Sequence, residues 1–278
     1  MVGKRSKVSG VLASAAVLLS ACMSPPGPEA KKDDIDKLPR KSLQLTAGYT
    51  LSYLESGAPT GRLVVFVHGT PGNARGWSDY LMQVPDGFHY IAIDRPGFGK
   101  SGPDDAVVSL PEQAAAVAEV IRAQHAGRAI LVGHSLGGPV VAQTAADAPE
   151  LVSALVILAG SLDPAQENVP FVQYMGDTWP VSAMLPRMMR NANREIIYLK
   201  RELDHLAPRL EAIRMPVVIV HGMEDPLVPF ANVAFMKSHL TGAALSIDAI
   251  PKQNHFLPWN AKAHVLAAVA KAESEAQP

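Results

Sequence analysis

The sequence has little of several features that mark particular classes of protein. It has one cysteine among 278 residues, so an internal disulfide is excluded. Aromatic residues make up only 6% and charged residues 18%, and the formal net charge is −1. Because nucleic-acid binding requires a basic surface, this balance argues against DNA or RNA as a partner. The hydrophobic fraction of 48% excludes a disordered body and indicates a globular one.

Motifs for metals, phosphates and dinucleotides are also missing from the sequence. No group of histidines and cysteines has the spacing of a metal site, and neither a phosphate-binding loop nor a dinucleotide fingerprint occurs. No internal repeat is visible. We therefore expect a single domain that needs neither a cofactor nor a metal.

The first 21 residues form a separate segment. Lys4, Arg5 and Lys7 make its start positive, and residues 8–21 are apolar or small. This run is too short for a comfortable membrane span and is typical of a secretory signal peptide. Its removal would lower the formal net charge by three, from −1 to −4.

The lone cysteine follows this segment directly. Residues 19–22, Leu-Ser-Ala-Cys, resemble the lipobox of bacterial lipoproteins, which implies cleavage before Cys22 and lipidation of its thiol. An ordinary cleaved signal with a stray cysteine is the alternative. Met23 then favours the outer membrane, facing the periplasm, if the source is Gram-negative. Residues 22–41 are rich in proline and charge, which predicts a flexible tether beside the membrane.

Residues 42–278 are enough for one large domain. Short aliphatic runs are typical of parallel strands covered on both faces, and they lie near 63–67, 90–93, 129–132, 154–159 and 216–221. Residues 49–55 alternate as a half-buried strand does, and 245–250 form a further strand. Helical runs separate the strands, and one of them begins with the capping pair Ser109 and Glu112. This alternation predicts an α/β fold.

A serine flanked by glycines is the most informative motif. Residues 133–138, Gly-His-Ser-Leu-Gly-Gly, follow the strand at 129–132 and precede a helical run over 139–148. A strand-to-helix turn this tight has no room for side chains at the glycine positions, and it leaves the Ser135 hydroxyl accessible. Such a serine is a candidate nucleophile once a neighbouring base takes its proton. The alternative is a glycine-rich turn with an incidental serine.

Candidates for the base and the acid lie downstream. His255 lies in the loop after strand 245–250, and Asp225 lies in the turn after the preceding strand. Loops that follow parallel strands meet at one edge of the sheet, where ligands bind in open α/β folds. Glu224 and Asp163 are the alternatives for the acid.

Four motifs in this order resemble the α/β-hydrolase superfamily, from about Leu43 to the C-terminus. They are a His-Gly-Thr-Pro-Gly loop at 68–72, an Asp-Arg-Pro-Gly-Phe-Gly-Lys-Ser loop at 94–101, the glycine-flanked serine, and the pair Asp225 and His255. The resemblance implies an α/β-hydrolase fold with a mostly parallel central sheet flanked by helices. It also implies that Ser135 is the nucleophile, His255 the general base and acid, and Asp225 the orienting carboxylate.

The resemblance further implies an oxyanion hole. The backbone N–H groups of Leu136 and Thr70 would bind the negative oxygen of a tetrahedral intermediate. We expect His68 to support the loop that carries Thr70. We expect Asp94 and Ser101 to fix a neighbouring loop by bonding to backbone.

Roughly fifty-five residues separate strand 154–159 from the next strand, too many for a plain connection. Members of the superfamily commonly carry a cap there, and we predict a helical one over about 161–212. Its methionines and aromatic residues would either line an apolar acyl pocket or pack the cap onto the body. Arg187, Arg190 and Arg194 have helical spacing, which favours a solvated helix face over contact with lipid headgroups or a substrate carboxylate.

The sequence thus predicts a serine hydrolase of small-molecule esters, tethered to a bacterial membrane through Cys22. A serine nucleophile argues against the haloalkane dehalogenases and epoxide hydrolases, which use aspartate. Amide cleavage is an alternative, because the loop at 68–72 also resembles that of proline iminopeptidases. Thioesterases, carbon–carbon hydrolases and haloperoxidases share the same machinery, and a binding lipoprotein without catalysis is the remaining alternative. The oligomeric state is not predicted.

Overall fold

The computed structural model describes residues 35–124 and 127–276, so the predicted signal peptide 1–21, Cys22 and most of the tether lie outside the described residues. Its centre is an eight-stranded sheet in the order β1-β2-β4-β3-β5-β6-β7-β8. The strands are β1 Arg40–Gln44, β2 Thr50–Gly57, β3 Arg62–Val67, β4 Phe88–Ile93, β5 Ala129–His134, β6 Val152–Leu158, β7 Val217–Gly222 and β8 Leu245–Ile250. β2 pairs antiparallel with β1 and with β4, and every other pair in the sheet is parallel.

Helices connect the parallel strands, and the last two helices follow β8. They are α1 Ser78–Leu81, α2 Leu110–Ala123, α3 Gly137–Asp147, α4 Phe171–Gly176, α5 Val181–Met184, α6 Arg187–Leu206, α7 Ala231–His239, α8 Leu257–Asn260 and α9 Lys262–Glu275. Short 3₁₀ turns lie at Ala74–Trp77, Pro149–Leu151, Pro164–Gln166 and Ala207–Ala212. Within the described ranges, none of the helices is both long and apolar enough to cross a bilayer.

The sheet is buried on both faces. In β3, Leu63, Val65 and Val67 belong to one buried cluster, which includes side chains of α2 and α3. Val64 and Phe66 belong to the other, which includes side chains of α9. Because both faces are covered, the strand reads as a continuous aliphatic run without polar alternation. The predicted fold class, a mostly parallel sheet flanked by helices, is confirmed.

The folded chain begins before the predicted boundary at residue 42. β1 starts at Arg40, whose Nη1 donates to the Asp94 carboxylate at 2.6 Å, and Leu38 packs against the core. β1 is an edge strand with one half-buried residue among exposed ones. It therefore lacks an apolar pattern, and its composition alone predicts tether.

The predicted cap segment 161–212 lies between β6 and β7 and holds α4, α5 and α6. Phe171, Trp179 and Met184 are 77%, 83% and 83% exposed. These three side chains therefore do not pack the cap onto the body, which was one of the two roles expected for the apolar residues of the cap.

The arginines of α6 do not form the free solvated face expected from their spacing. Arg187 donates to backbone oxygens of the loop at 99–103, with Nη2 at 2.8 Å from one of them. Arg190 pairs with the Asp104 carboxylate at 2.8 Å. Arg194 pairs with Asp177 within the cap at 2.7 Å and with Asp105 at 3.6 Å. All three thus bind the cap to the loop that follows β4.

Candidate active site

Ser135 lies in the turn between β5 and α3. Its φ of 55° is a left-handed backbone conformation, which is strained for a residue with a side chain. Its N–H donates to the carbonyl oxygen of Leu158 at 3.0 Å, which joins the turn to the end of β6. Ser135 is half-buried, while residues 129–134 and 136–145 are all buried. The turn therefore presents one partly accessible hydroxyl among buried elements.

Two glycines allow the turn to be this tight. A Cβ at Gly137 would overlap the carbonyl oxygen of Val67, and a Cβ at Gly133 would overlap that of Gly137. Helix α3 therefore starts in direct contact with the end of β3, and this brings the Ser135 turn beside the loop that follows β3.

His255 and Asp225 are directly bonded. His255 Nδ1 lies 2.7 Å from Asp225 Oδ2, and Asp225 Oδ1 accepts from the N–H groups of Leu227 at 2.9 Å and Val228 at 2.8 Å. Burial alone would raise the pKa of Asp225, but the bond to His255 and the two backbone donors hold it below its ordinary value. Because the carboxylate is ionised, Nδ1 carries the proton and Nε2 is the basic nitrogen.

The alternative acids lie elsewhere. Glu224 is exposed. Asp163 accepts from the N–H of Ala165 at 2.9 Å and caps the 3₁₀ turn Pro164–Gln166. The acid that contacts His255 is thus Asp225. Within residues 35–124 and 127–276, no three acidic, histidine or cysteine side chains are grouped so that they could hold a metal ion.

His134 joins the His255 loop to the Ser135 turn. His134 Nε2 lies 3.0 Å from the carbonyl oxygen of His255, the two rings are 4.8 Å apart, and the Trp259 ring stands edge-on to His134 at 5.6 Å. Burial, and then the neighbouring His255, lower the pKa of His134 to about 3. His134 is therefore neutral at pH 7 and can donate to the His255 carbonyl. Through His134, the loop that carries His255 is thus held against the Ser135 turn.

The predicted oxyanion residues adjoin this turn. Leu136 is the N-cap of α3 and is buried. A Cβ at Gly69 would lie 2.8 Å from Ser135 Cβ and 3.3 Å from Ser135 Oγ, so the backbone just before Thr70 lies against the serine. The Thr70 hydroxyl oxygen is buried without a hydrogen-bond partner.

His68 and Arg95 hold the loop that carries Thr70. His68 Nδ1 lies 2.6 Å from the Gly69 oxygen, and the Arg95 N–H donates to His68 Nε2 at 3.0 Å. Burial and the nearby Arg95 charge place the pKa of His68 well below its ordinary value, so Nδ1 donates and Nε2 accepts. The expected support by His68 is therefore present. The sequence assigned no role to Arg95, because its partners are far from it along the chain.

The expected role of Asp94 and Ser101 in fixing a loop is also visible. Asp94 accepts from the N–H groups of Ala74 at 2.7 Å and Lys100 at 2.9 Å. Ser101 Oγ donates to the Asp94 carbonyl at 2.6 Å and accepts from the Ser52 N–H at 2.8 Å. These bonds hold the loops after β3 and β4 together beside the site.

Known proteins share this sequence pattern and fold. A family profile described as alpha/beta hydrolase fold matches residues 62–181. The 2-(acetamidomethylene)succinate hydrolase of Mesorhizobium japonicum is 26% identical, over 75% of this chain and 86% of that protein. The pimeloyl-acyl-carrier-protein methyl ester esterase of Pectobacterium carotovorum subsp. carotovorum is 37% identical, over 40% of this chain and 42% of that protein.

A solved structure gives the same picture of the fold. A hydrolase from Pseudomonas aeruginosa superposes with a TM-score of 0.67 at 21% identity, over 84% of this chain and 97% of that one. The family match, the relatives and this structure together show that the chain has the α/β-hydrolase fold. The protein is a hydrolase of the α/β-hydrolase fold.

Proposed function

We propose that this protein hydrolyses small carboxylic esters through an acyl-enzyme on Ser135. The observation that carries the proposal is the 2.7 Å hydrogen bond between Asp225 and His255. The loop that holds His255 is itself bonded to His134, the residue before Ser135. A buried carboxylate, an imidazole and a strained, accessible serine are the parts that such a reaction requires.

In the first half of the reaction, Ser135 Oγ attacks the ester carbonyl carbon as its proton passes to His255 Nε2. The carbonyl electron pair moves onto oxygen, and the N–H groups of Thr70 and Leu136 donate to this oxyanion. The C–O bond to the alcohol then breaks, and the alcohol leaves with the proton from His255. Each oxyanion donor contributes about 3–4 kcal/mol to lowering the barrier.

In the second half, water attacks the acyl carbon as His255 takes its proton. The bond to Ser135 breaks, the acid is released, and the proton returns to Ser135 Oγ. Asp225 stabilises the imidazolium in both halves without taking up a proton itself.

The methyl ester esterase relative supports an ester as the substrate, at 37% identity over 40% of the chain. A second candidate is hydrolysis of a bond other than an ester. It is favoured by the Mesorhizobium relative, of which this chain covers 86% and which is named as a hydrolase of 2-(acetamidomethylene)succinate. Matched p-nitrophenyl esters and p-nitroanilides of the same acyl groups would separate ester from amide cleavage, and an acyl series would give the preferred chain length.

A fluorophosphonate probe tests the serine chemistry. We expect it to label the wild-type protein and to leave Ser135→Ala unlabelled, with loss of ester hydrolysis. Ser161→Ala is the matched control, because this buried serine lies near the turn, with its N–H 3.4 Å from the Ser135 carbonyl oxygen, and has no part in the proposed chemistry. Labelling of Ser135→Ala, or none of folded wild type, would contradict the proposal.

We also propose that lipidated Cys22 anchors the protein in a bacterial envelope. The lipobox-like residues 19–22 and the absence of any other cysteine support this. Several acyl chains on one residue would make the attachment firm, at about 0.8 kcal/mol per buried CH₂. We expect incorporation of labelled palmitate and recovery with the outer-membrane fraction of a Gram-negative host, and loss of both in Cys22→Ser. A Cys22→Ser protein that stays with the membrane would show another means of attachment.

A further inference from the structure

A buried arginine joins the cap to the candidate oxyanion loop. Arg95 is completely buried, and all five N–H groups of its guanidinium are used. Nε donates to the carbonyl oxygen of His68 at 2.8 Å, and Nη2 donates to that of Gly69 at 2.9 Å. Both Nη atoms donate to the Glu195 carboxylate, at 2.6 and 3.0 Å, and Nη1 also donates to Gln113 Oε1 at 2.6 Å.

The hydrogen bonds to the Gly69 carbonyl oxygen also orient the next N–H group, because both belong to one peptide unit. The Gly69 carbonyl and the Thr70 N–H belong to one planar trans peptide, so they point in opposite directions. Arg95 and His68 both donate to the Gly69 oxygen, at 2.9 and 2.6 Å. These two donors therefore fix the direction of the Thr70 N–H, in backbone that lies against Ser135.

Arg95 depends on Glu195 for its position. A buried guanidinium needs a buried counter-charge, and Glu195 supplies it with a side chain that is 1% exposed. Gln113 Nε2 donates to the Glu195 carboxylate at 2.8 Å and to the Val107 carbonyl oxygen at 2.8 Å. Gln113 therefore fixes the position of the carboxylate relative to α2 and the loop before it. Glu195 itself lies on α6 of the cap, 100 residues from Arg95 along the chain.

We propose that Glu195 is a positioning residue: through Arg95, the cap sets the direction of the Thr70 N–H in the oxyanion hole. The inference rests on the proposed function. An oxyanion donor acts on the transition state and hardly at all on the bound substrate, so a change at Glu195 lowers kcat and leaves KM nearly unchanged.

Glu195→Gln and Glu202→Gln form a matched pair for the test. Glu202 is a second buried glutamate of α6, and it accepts from the N–H of Leu110 at 3.0 Å, away from the oxyanion loop. We expect Glu195→Gln to lower kcat about 10- to 100-fold, which does not exceed the loss of kcat on removing one oxyanion donor. We expect KM to change less than about threefold. The affinity for a boronic acid that forms a tetrahedral adduct on Ser135 falls by the same factor as kcat/KM. Glu202→Gln lowers the melting temperature and keeps kcat.

A double variant separates catalysis from folding. Arg95→Met with Glu195→Leu removes both charges together and leaves no unpaired buried ion, so it is expected to fold. It still lacks the donors to His68 and Gly69, and we expect the same loss of kcat and boronate affinity. Wild-type kcat and boronate affinity in either folded variant would overturn the inference. Failure of both variants to fold would overturn it as well, since the pair would then serve stability.

The two proposals fail in different ways. A wild-type protein that neither reacts with the fluorophosphonate nor hydrolyses esters refutes the proposed function. A reactive wild type whose Glu195→Gln variant is labelled at the same rate refutes only the role of Glu195.

Discussion

Asp225 is built to accept and not to donate. Its Oδ1 is occupied by the N–H groups of Leu227 and Val228, and its Oδ2 faces His255 Nδ1. All three partners are donors, so only the ionised carboxylate satisfies them. The acidity of Asp225 and the tautomer of His255 are therefore set by one arrangement of hydrogen bonds.

Asp225→Asn is the sharpest test of that arrangement. An asparagine fits the space but places an NH₂ donor on one of the three partners, which favours a proton on His255 Nε2 and removes the base. We expect kcat for a short p-nitrophenyl ester at pH 7.5 to fall by about 10⁴ with little change in the melting temperature. The exposed neighbour Glu224→Gln is the control and should keep wild-type kcat. A small loss in Asp225→Asn with a large one in Glu224→Gln would reverse the assignment of the acid.

At this scale the sequence predicts what has a local signature. Ser135 can be predicted because its flanking glycines mark the turn, and His255 and Asp225 can be predicted because each follows a strand. Arg95 lies inside the loop motif at 94–101, yet its function depends on Glu195 and Gln113, which come close to it only in the folded chain. A buried ion pair between residues far apart along the chain leaves no trace in the local pattern.

Among the elements, the contact of α3 with β3 defines the site. Gly137 stands in the first turn of α3, where the helix meets the last residue of β3, and the loop after β3 continues into Gly69 and Thr70. Any widening between the two elements moves the serine turn away from the oxyanion loop.

Gly137→Ala tests this contact. Alanine is normally favoured over glycine in a helix by about 1 kcal/mol. Here its Cβ would overlap the Val67 carbonyl oxygen, so we expect the sign to reverse, with a loss of about 1–3 kcal/mol in the free energy of unfolding. Gly76→Ala is the control, because a Cβ there meets only the Trp259 ring at 3.4 Å, an ordinary contact. Urea denaturation measures both, and equal stability of the two variants would show that α3 and β3 can separate at no cost.

The elements themselves differ in how well sequence predicts them. The inner strands are short, continuous aliphatic runs, and α2 is marked by Ser109, which caps it by accepting from the Glu112 N–H at 3.3 Å. β1 escapes prediction because an edge strand with mostly exposed side chains has no apolar pattern; it is fixed by pairing with β2 and by the bond from Arg40 to Asp94. The arginines of α6 are read as solvated because their acidic and backbone partners lie in other segments.

The molecule as a whole buries several histidines in the neutral state. Burial is the main cause of the lowered pKa of His68, His134 and His221, and for His134 the value is about 3. The unfolded chain protonates each of them near pH 6.5, whereas the folded protein does not. Between pH 6.5 and the folded pKa the unfolded state binds more protons, so the free energy of unfolding falls as the pH falls.

Two acids influence this dependence. The lowered pKa of Asp225 adds stability that is lost only below about pH 3.8, outside a measurement made above pH 5. Burial is the first cause of the raised pKa of Glu167, so its contribution has the opposite sign and decreases as the pH rises above about 4.5. A comparison between variants over one pH interval cancels the Glu167 contribution.

We therefore expect the free energy of unfolding to be lower at pH 5 than at pH 7, and His134→Gln to reduce that difference. A single histidine contributes up to ~1.4 kcal/mol per pH unit below pH 6.5, so His134 accounts for about 2 kcal/mol between pH 7 and pH 5. Urea denaturation at the two pH values measures it. His264→Gln is the control, since His264 is exposed and its replacement leaves the buried histidines in place. A free energy of unfolding that does not change over this interval in wild type would mean that these imidazoles gain protons in the folded state. The 3.0 Å bond from His134 to the His255 carbonyl would then come from a charged ring beside the proposed base.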